Sequence, residues 1–113
     1  MSQEDYHMYV LVWYVPESHL EQVKEAVFAA GGGKIGNYEK CCWQCLGQGQ
    51  FQPGPESDPY IGKQGVIERL QEYRVELVVD ESHAFAAVEA LLAEHPYETP
   101  AYHLIPVMTM SIS

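Results

Sequence analysis

Positive charge is what this sequence has least of: six lysines and arginines stand against sixteen aspartates and glutamates in 113 residues, a formal charge of -10. Nucleic acid and anionic membrane surfaces are held through clustered Lys and Arg, so neither is an expected partner. Cysteine is scarce as well, and the three present cannot all pair within one chain, which fits a reducing compartment rather than a disulfide scaffold. No apolar run approaches the roughly 18 residues that a membrane span needs. The opening residues Met1 to His7 are polar and acidic where a secretory leader would be basic and then apolar, so a cytoplasmic protein is expected. There is no internal repeat and no Walker loop. Gly47-x-Gly49 lacks the third glycine, preceding strand and following helix of a dinucleotide fingerprint. Ser18, Ser57 and Ser82 lack the neighbours of a nucleophile elbow.

What is present is a hydrophobic content of 47%, enough for one compact domain over residues 1–113. Tyr6 to Val15 is rich in β-branched and aromatic residues and is stopped by Pro16, which marks a strand. Both of its faces are apolar, with Met8, Val10, Val12 and Tyr14 on one and Tyr9, Leu11, Trp13 and Val15 on the other. One face therefore suits a core and the other a neighbouring subunit. From Ser18 the period becomes helical, with Leu20, Val23 and Val27 as the stripe, Ser18 and Glu21 at capping-box spacing, and Gly31 to Gly33 as the stop. Asn37 to Leu46 reads as a strand, Gly47 to Gly49 as a tight connection or bulge, and Gln50 to Gln52 as the start of its partner. Pro53 to Pro59 is a loop. In Val66 to Asp80, Val66, Ile67 and Leu70 could begin a helical stripe while Tyr73, Val75, Leu77 and Val79 alternate as a strand; a long strand bent near Gln71 is favoured. Ser82 is placed to cap a second helix with Phe85, Val88, Leu91 and Leu92 as its stripe, ending at His95 before Pro96. Ala101 to Val107 is a strand that Pro106 assigns to an edge, and Met108, Met110 and Ile112 alternate along a tail suited to pairing with another chain. The order is β-α-β-β-α-β, an α+β ferredoxin-like arrangement with an antiparallel sheet and two helices on one face.

The chemistry-bearing residues gather in and around Lys34 to Gly65, which holds all three cysteines. Cys42 and Cys45 have the spacing of a metal knuckle, but on a strand positions i and i+3 face opposite ways, so a structural role is expected ahead of a zinc or copper site built across subunits or redox chemistry. Tyr38, Trp43, Phe51 and Tyr60 are candidates to line a small-molecule cleft around the proline-rich loop, against the alternative of filling a local core. His95 and Glu98 in HPYE, with His103 beyond, are the candidate ligands of a divalent metal or an acid/base pair. The competing reading makes His-Pro a helix stop and Glu98 an acceptor for backbone N–H groups. Glu68, Glu72 and Glu76, with Arg69 and Arg74, are candidates to line a polar groove, against the favoured reading of a solvated or ion-paired strand face.

The segments VPESHLEQVKEAVFAAGGGKIGNYEKC, GQGQF, DPYIG and HPYETPAY, in this order, resemble the CutA-like domain inserted in YqfO-type proteins of the dinuclear-metal hydrolase-like family. The resemblance covers nearly the whole chain, which looks like one of the short stand-alone versions. It implies a fold akin to CutA and the PII signalling proteins and a homo-oligomer, a trimer ahead of a dimer. Cys42, Trp43 and Cys45 depart from the residues common there. Nothing in the chain matches the histidine-rich metal ligands of the larger family, so its hydrolase chemistry is not carried over. The expected function is a non-enzymatic oligomeric module that binds a small molecule, a metal ion or a protein at a subunit boundary. The alternatives are a metal-dependent hydrolase using His95, Glu98 and His103, and a purely structural assembly piece.

Overall fold

A computed structural model describes residues 7–110. Tyr6, Ile112, Ser113 and the polar residues 1–6, to which sequence expectations were attached, lie outside the described residues. Four strands and two helices follow one another as β1 (Met8–Val15), α1 (Leu20–Ala29), β2 (Trp43–Phe51), β3 (Glu68–Asp80), α2 (Glu81–Glu94) and β4 (Tyr102–Val107). The sheet is antiparallel throughout with the order β2-β3-β1-β4, the ferredoxin-like topology expected. β4 is an edge strand, which is where Pro106 can be tolerated without losing a ladder hydrogen bond. The pairing of β1 with β4 runs from Met8 opposite Val107 to Trp13 opposite Tyr102.

One face of the sheet carries the core. Leu11, Trp13 and Val15 of β1 and Val75, Leu77 and Val79 of β3 are buried against Leu20, Val23, Val27 and Phe28 of α1. α2 adds Ala84, Ala87 and Leu91, whose two small side chains let it lie close to both α1 and the sheet. The expected stripe on α2 was different: Phe85 is 76% exposed and Leu92 is exposed, so the buried row is offset from the bulky residues. On the other, helix-free face the register places Trp43, Glu76, Val12 and His103 in one row across the four strands, with Val78, Val10 and Ile105 in the next. Directly opposed residues share a face, so these side chains form a mixed apolar and charged surface.

Both helix starts differ from the capping expected of them. A 3₁₀ turn, Glu17–His19, leads into α1, so Ser18 already lies within helical backbone; its hydroxyl pairs with His19 Nδ1 at 2.8 Å and caps nothing. α2 is capped two residues earlier than Ser82, by Asp80, whose Oδ1 accepts the His83 N–H at 3.1 Å. The glycine stop of α1 holds in detail. Gly31 N–H donates to Phe28 O and Gly32 N–H to Val27 O, both at 3.0 Å, with Gly31 at φ +111°, the paired bonds of a Schellman end.

The central stretch is corrected most. Residues 37–42 are not a strand; Ile35 and Tyr38 form an isolated bridge, and Cys41 N–H donates to Gly33 O at 2.8 Å. Gly47 and Gly49 do not turn the chain but lie inside β2, opposite Glu72 and Leu70 of β3, so the expected strand and its partner are one strand. β3 covers the long strand expected from Glu68 onward, while Val66 and Ile67 remain in the preceding loop. β4 stops at Val107, and residues 108–110 have no regular structure.

Candidate functional site

At the end of the sheet where β1 finishes and β3 begins, the loop of residues 52–67 folds back toward the HPYE turn. The loop is closed at its base by Gly65 N–H donating to Pro53 O at 2.8 Å and stiffened inside by Ser57, whose hydroxyl donates to Gly54 O at 2.7 Å. Gln64 Nε2 donates to Ser57 O at 2.9 Å. The tip is tied across by Asp58 N–H, which donates to Glu98 Oε1 at 3.1 Å. The proline-rich loop and the HPYE turn thus meet within one chain.

His95 follows α2 in an extended conformation, as a residue before proline must. Extension turns its ring inward, where it is 7% exposed. Nε2 donates to Tyr14 O at 2.6 Å and Nδ1 accepts the Tyr97 N–H at 3.2 Å, which together fix the neutral tautomer. Burial pushes this imidazole below its ordinary pKa; the Tyr14 carbonyl and the Glu72 charge oppose the shift, and His19 adds to it. The turn then directs Tyr97 into the cleft, its hydroxyl donating to Glu72 Oε2 at 2.7 Å. Burial raises the Tyr97 phenol pKa, the bond to Glu72 and that carboxylate's charge raise it further, and Tyr60 adds the same sense. The phenol therefore stays protonated as a donor.

These contacts enclose one side of an open cleft of about 390 Å³ lined by Tyr14, Phe51, Tyr60, Tyr97, Glu72 and Glu98, with Pro53, Pro59 and Ile61 at its rim. The Tyr97 ring centre stands 6.3 Å from that of Phe51 and 6.4 Å from that of Tyr60, tilted against both. Gly49 shapes the floor. A Cβ there would overlap the Glu72 carboxylate, so glycine is what lets Glu72 lie over β2 and reach Tyr97. No lysine or arginine is among the described lining residues.

Of the aromatic residues singled out from sequence, Phe51 and Tyr60 line this cleft, whereas Tyr38 stands 75% exposed in the segment before β2. Trp43 lies on the helix-free face, where with Cys45 and Arg74 it borders a second depression of about 410 Å³ that shares Tyr14, Gly49 and Glu72 with the first. Cys42 precedes β2 and borders a third depression with Cys41; all three cysteines are free thiols. His95, Glu98 and His103 are not brought together as one set of ligands. Both His95 nitrogens are engaged, Glu98 holds the loop, and His103 faces away from the core opposite Val12. Among the described residues no group of three His, Cys, Asp or Glu side chains is placed to hold a metal ion.

Sequence reasoning passed over Tyr14 and Tyr97 and took Glu72 for a solvated charge. The available signal was Gly49: a glycine inside a strand marks the close approach of something from a neighbour, here the Glu72 side chain.

Comparison with known proteins gives no matching family model. The GTP cyclohydrolase 1 type 2 homolog of Halalkalibacterium halodurans is 44% identical over 100 residues, 88% of this chain and 27% of that protein. The chain thus spans about a quarter of the length of the curated relatives it matches. The solved structure of a Bacillus cereus protein related to NIF3 superposes with a TM-score of 0.76 at 34% identity, covering 90% of this chain and 26% of that one. The periplasmic divalent cation tolerance protein CutA from Archaeoglobus fulgidus shares the fold at 15% identity, with a TM-score of 0.64 over 92% of this chain and 87% of its own.

Proposed function

Since the chain belongs to the CutA-like domains of the YqfO type, which span about a quarter of the GTP cyclohydrolase 1 type 2 homologs, we propose that it is a small-molecule-binding module whose binding place is the cleft between the 52–67 loop and the HPYE turn. The observation that carries this reading is the Asp58 to Glu98 hydrogen bond, which spans forty residues of chain and ties together two loops that line one cavity with the end of the sheet. Its volume of about 390 Å³ lies in the range of small-ligand sites, and its aromatic lining with a few polar groups has their usual composition. No nucleophile and base stand paired along these walls, so binding without turnover is the reading they support. Phosphate-rich ligands such as GTP suit the cleft poorly, because it offers two carboxylates and no described cationic side chain.

The module works in this reading as a homo-oligomer joined through the helix-free sheet face, where Trp43 and Ile105 stand exposed beside Val12. The mouth of the cleft lies beside that face, since Tyr14, Gly49 and Glu72 border both depressions. A thermal-shift screen of metabolites, metals and nucleotides tests the proposal, because a ligand specific to the folded state raises its apparent stability by mass action. A compound that stabilises the wild type and fails to stabilise Phe51→Ala is the expected result. Stabilisation that is unchanged in Phe51→Ala and in Tyr60→Leu places binding elsewhere and overturns it.

A further inference from the structure

We infer that the cleft's ligand class is an organic monocation, a substituted or quaternary ammonium group with a small apolar body; this rests on the proposed binding role and deepens it. Four aromatic residues and two carboxylates converge on the cavity: Tyr14, Phe51, Tyr60, Tyr97, Glu72 and Glu98. The face of an aromatic ring is electron-rich and attracts a cation, most strongly one that is poorly hydrated and so loses little on leaving water. The ring centres of Phe51 and Tyr60 stand 6.3 and 6.4 Å from that of Tyr97, and all three rings line the same cavity, so several rings can meet one compact group. Tyr97 is committed as a donor to Glu72, which orients that carboxylate at the cavity wall. Glu98 uses Oε1 to hold the Asp58 N–H, and its other oxygen has no hydrogen-bond partner among the described residues.

Other ligand classes fit less well. An anion would meet two carboxylates with no described lysine or arginine in the lining. A divalent metal ion needs several oxygen or nitrogen ligands around one point, and ring faces supply none; no such group of three is assembled among the described residues. A neutral apolar molecule would fill the cavity but set apolar surface against two carboxylates, which would lose water and gain no partner from it. A chain of charge -10 also raises the local concentration of cations near its surface at low ionic strength.

Isothermal titration of the full chain with choline, its uncharged isostere 3,3-dimethylbutan-1-ol, magnesium ion and inorganic phosphate separates the classes. Choline is expected to bind about tenfold or more tightly than the alcohol, since each ring contact and carboxylate acts on the charge and not on the shape. Phe51→Ala and Tyr60→Leu are expected to weaken choline about fivefold or more each. Tyr60 is largely exposed, so its replacement leaves the core intact and loss of affinity there cannot be assigned to unfolding. Glu98→Gln keeps an acceptor for Asp58 and removes one charge, and should lower choline affinity with the alcohol unaffected. Equal binding of choline and the alcohol, both weakened by Phe51→Ala, overturns the cation inference while the cleft remains a ligand site. Binding of magnesium or phosphate in preference to choline, or no binding of choline at all, overturns it as well. The metabolite screen with Phe51→Ala then decides separately whether the cleft binds anything.

Discussion

The hydroxyl of Tyr97 and the carboxylate of Glu72 meet at 2.7 Å, and they do so only because Gly49 leaves the space that Glu72 occupies. Three elements are thereby joined in one contact: the turn after α2, the start of β3 and the end of β2.

A double-mutant cycle tests this coupling. Tyr97→Phe removes one hydrogen bond to a charged group and is expected to cost about 1 kcal/mol, measured by urea unfolding. Gly49→Ala displaces the flexible end of Glu72 and should cost about the same, because what is lost is the same bond. The two are expected not to add; additive costs would show that Gly49 is required for some other reason. Gly47→Ala is the control, since a Cβ there meets open space, and it should be neutral or stabilise by a few tenths of a kcal/mol.

Acid should loosen the same region through His95. Its folded pKa is depressed chiefly by burial, below the ordinary value of 6.5, so the unfolded chain takes up the proton first as pH falls. The contribution of neutral His95 is therefore complete above about pH 6.5 and is lost as pH drops toward and through the lowered folded value. Protonation would also put a donor on Nδ1 against the Tyr97 N–H. Glu72 and His19, which face the ring with opposite effects, keep their places in the comparison. Stability at pH 5.5 is expected to be lower than at pH 7.5 in the wild type, and the difference should shrink in His95→Gln. An equal pH dependence in the variant would assign the effect to the other histidines.

The cap of α2 discriminates between neighbouring residues. Asp80→Ala is expected to cost about 1 kcal/mol, and Ser82→Ala a few tenths, because the Asp80 side chain, and not that of Ser82, accepts a free backbone N–H of the first turn. For a domain of this size the first loss corresponds to about 4 °C in melting temperature.

For the proposed assembly, Trp43→Glu puts a second carboxylate directly opposite Glu76 on the helix-free face and should shift the protein toward monomer by light scattering. Secondary structure by circular dichroism should stay unchanged, since Trp43 is outside the core. A wild type that is monomeric at micromolar concentration would refute the oligomer itself.

α1, β1 and the second half of β3 were legible because their patterning has a single interpretation. Leu20, Val23 and Val27 can share a face only at helical period, and Val75, Leu77 and Val79 only at strand period. The central stretch was not legible for a related reason. Gly47 and Gly49 carry the local signature of a turn, and only the register with β3 shows that both lie inside a strand, where Gly49 gives way to the Glu72 side chain. Ser18 and Ser82 had the composition of caps, yet the backbone leading into each helix, a 3₁₀ turn in one case and Asp80 in the other, decided which residue stood at the end. The cleft depends on residues far apart in sequence, so its pairs, Tyr97 with Glu72 and Glu98 with Asp58, had no local pattern to announce them. Phe51 and Tyr60 could be singled out because aromatics beside a glycine- and proline-rich loop are few. The same criterion picked out Tyr38 and Trp43, which the fold places elsewhere.

The pairing of Met8 with Val107 has a further consequence. Where chain enters and where chain leaves, the two backbones are neighbours in one ladder, about 5 Å apart. A unit with that geometry can be spliced into a surface loop of another protein without prising the host apart, because the host needs to supply only the width of a single strand pair. The cleft would then stand at the end of the sheet away from the splice.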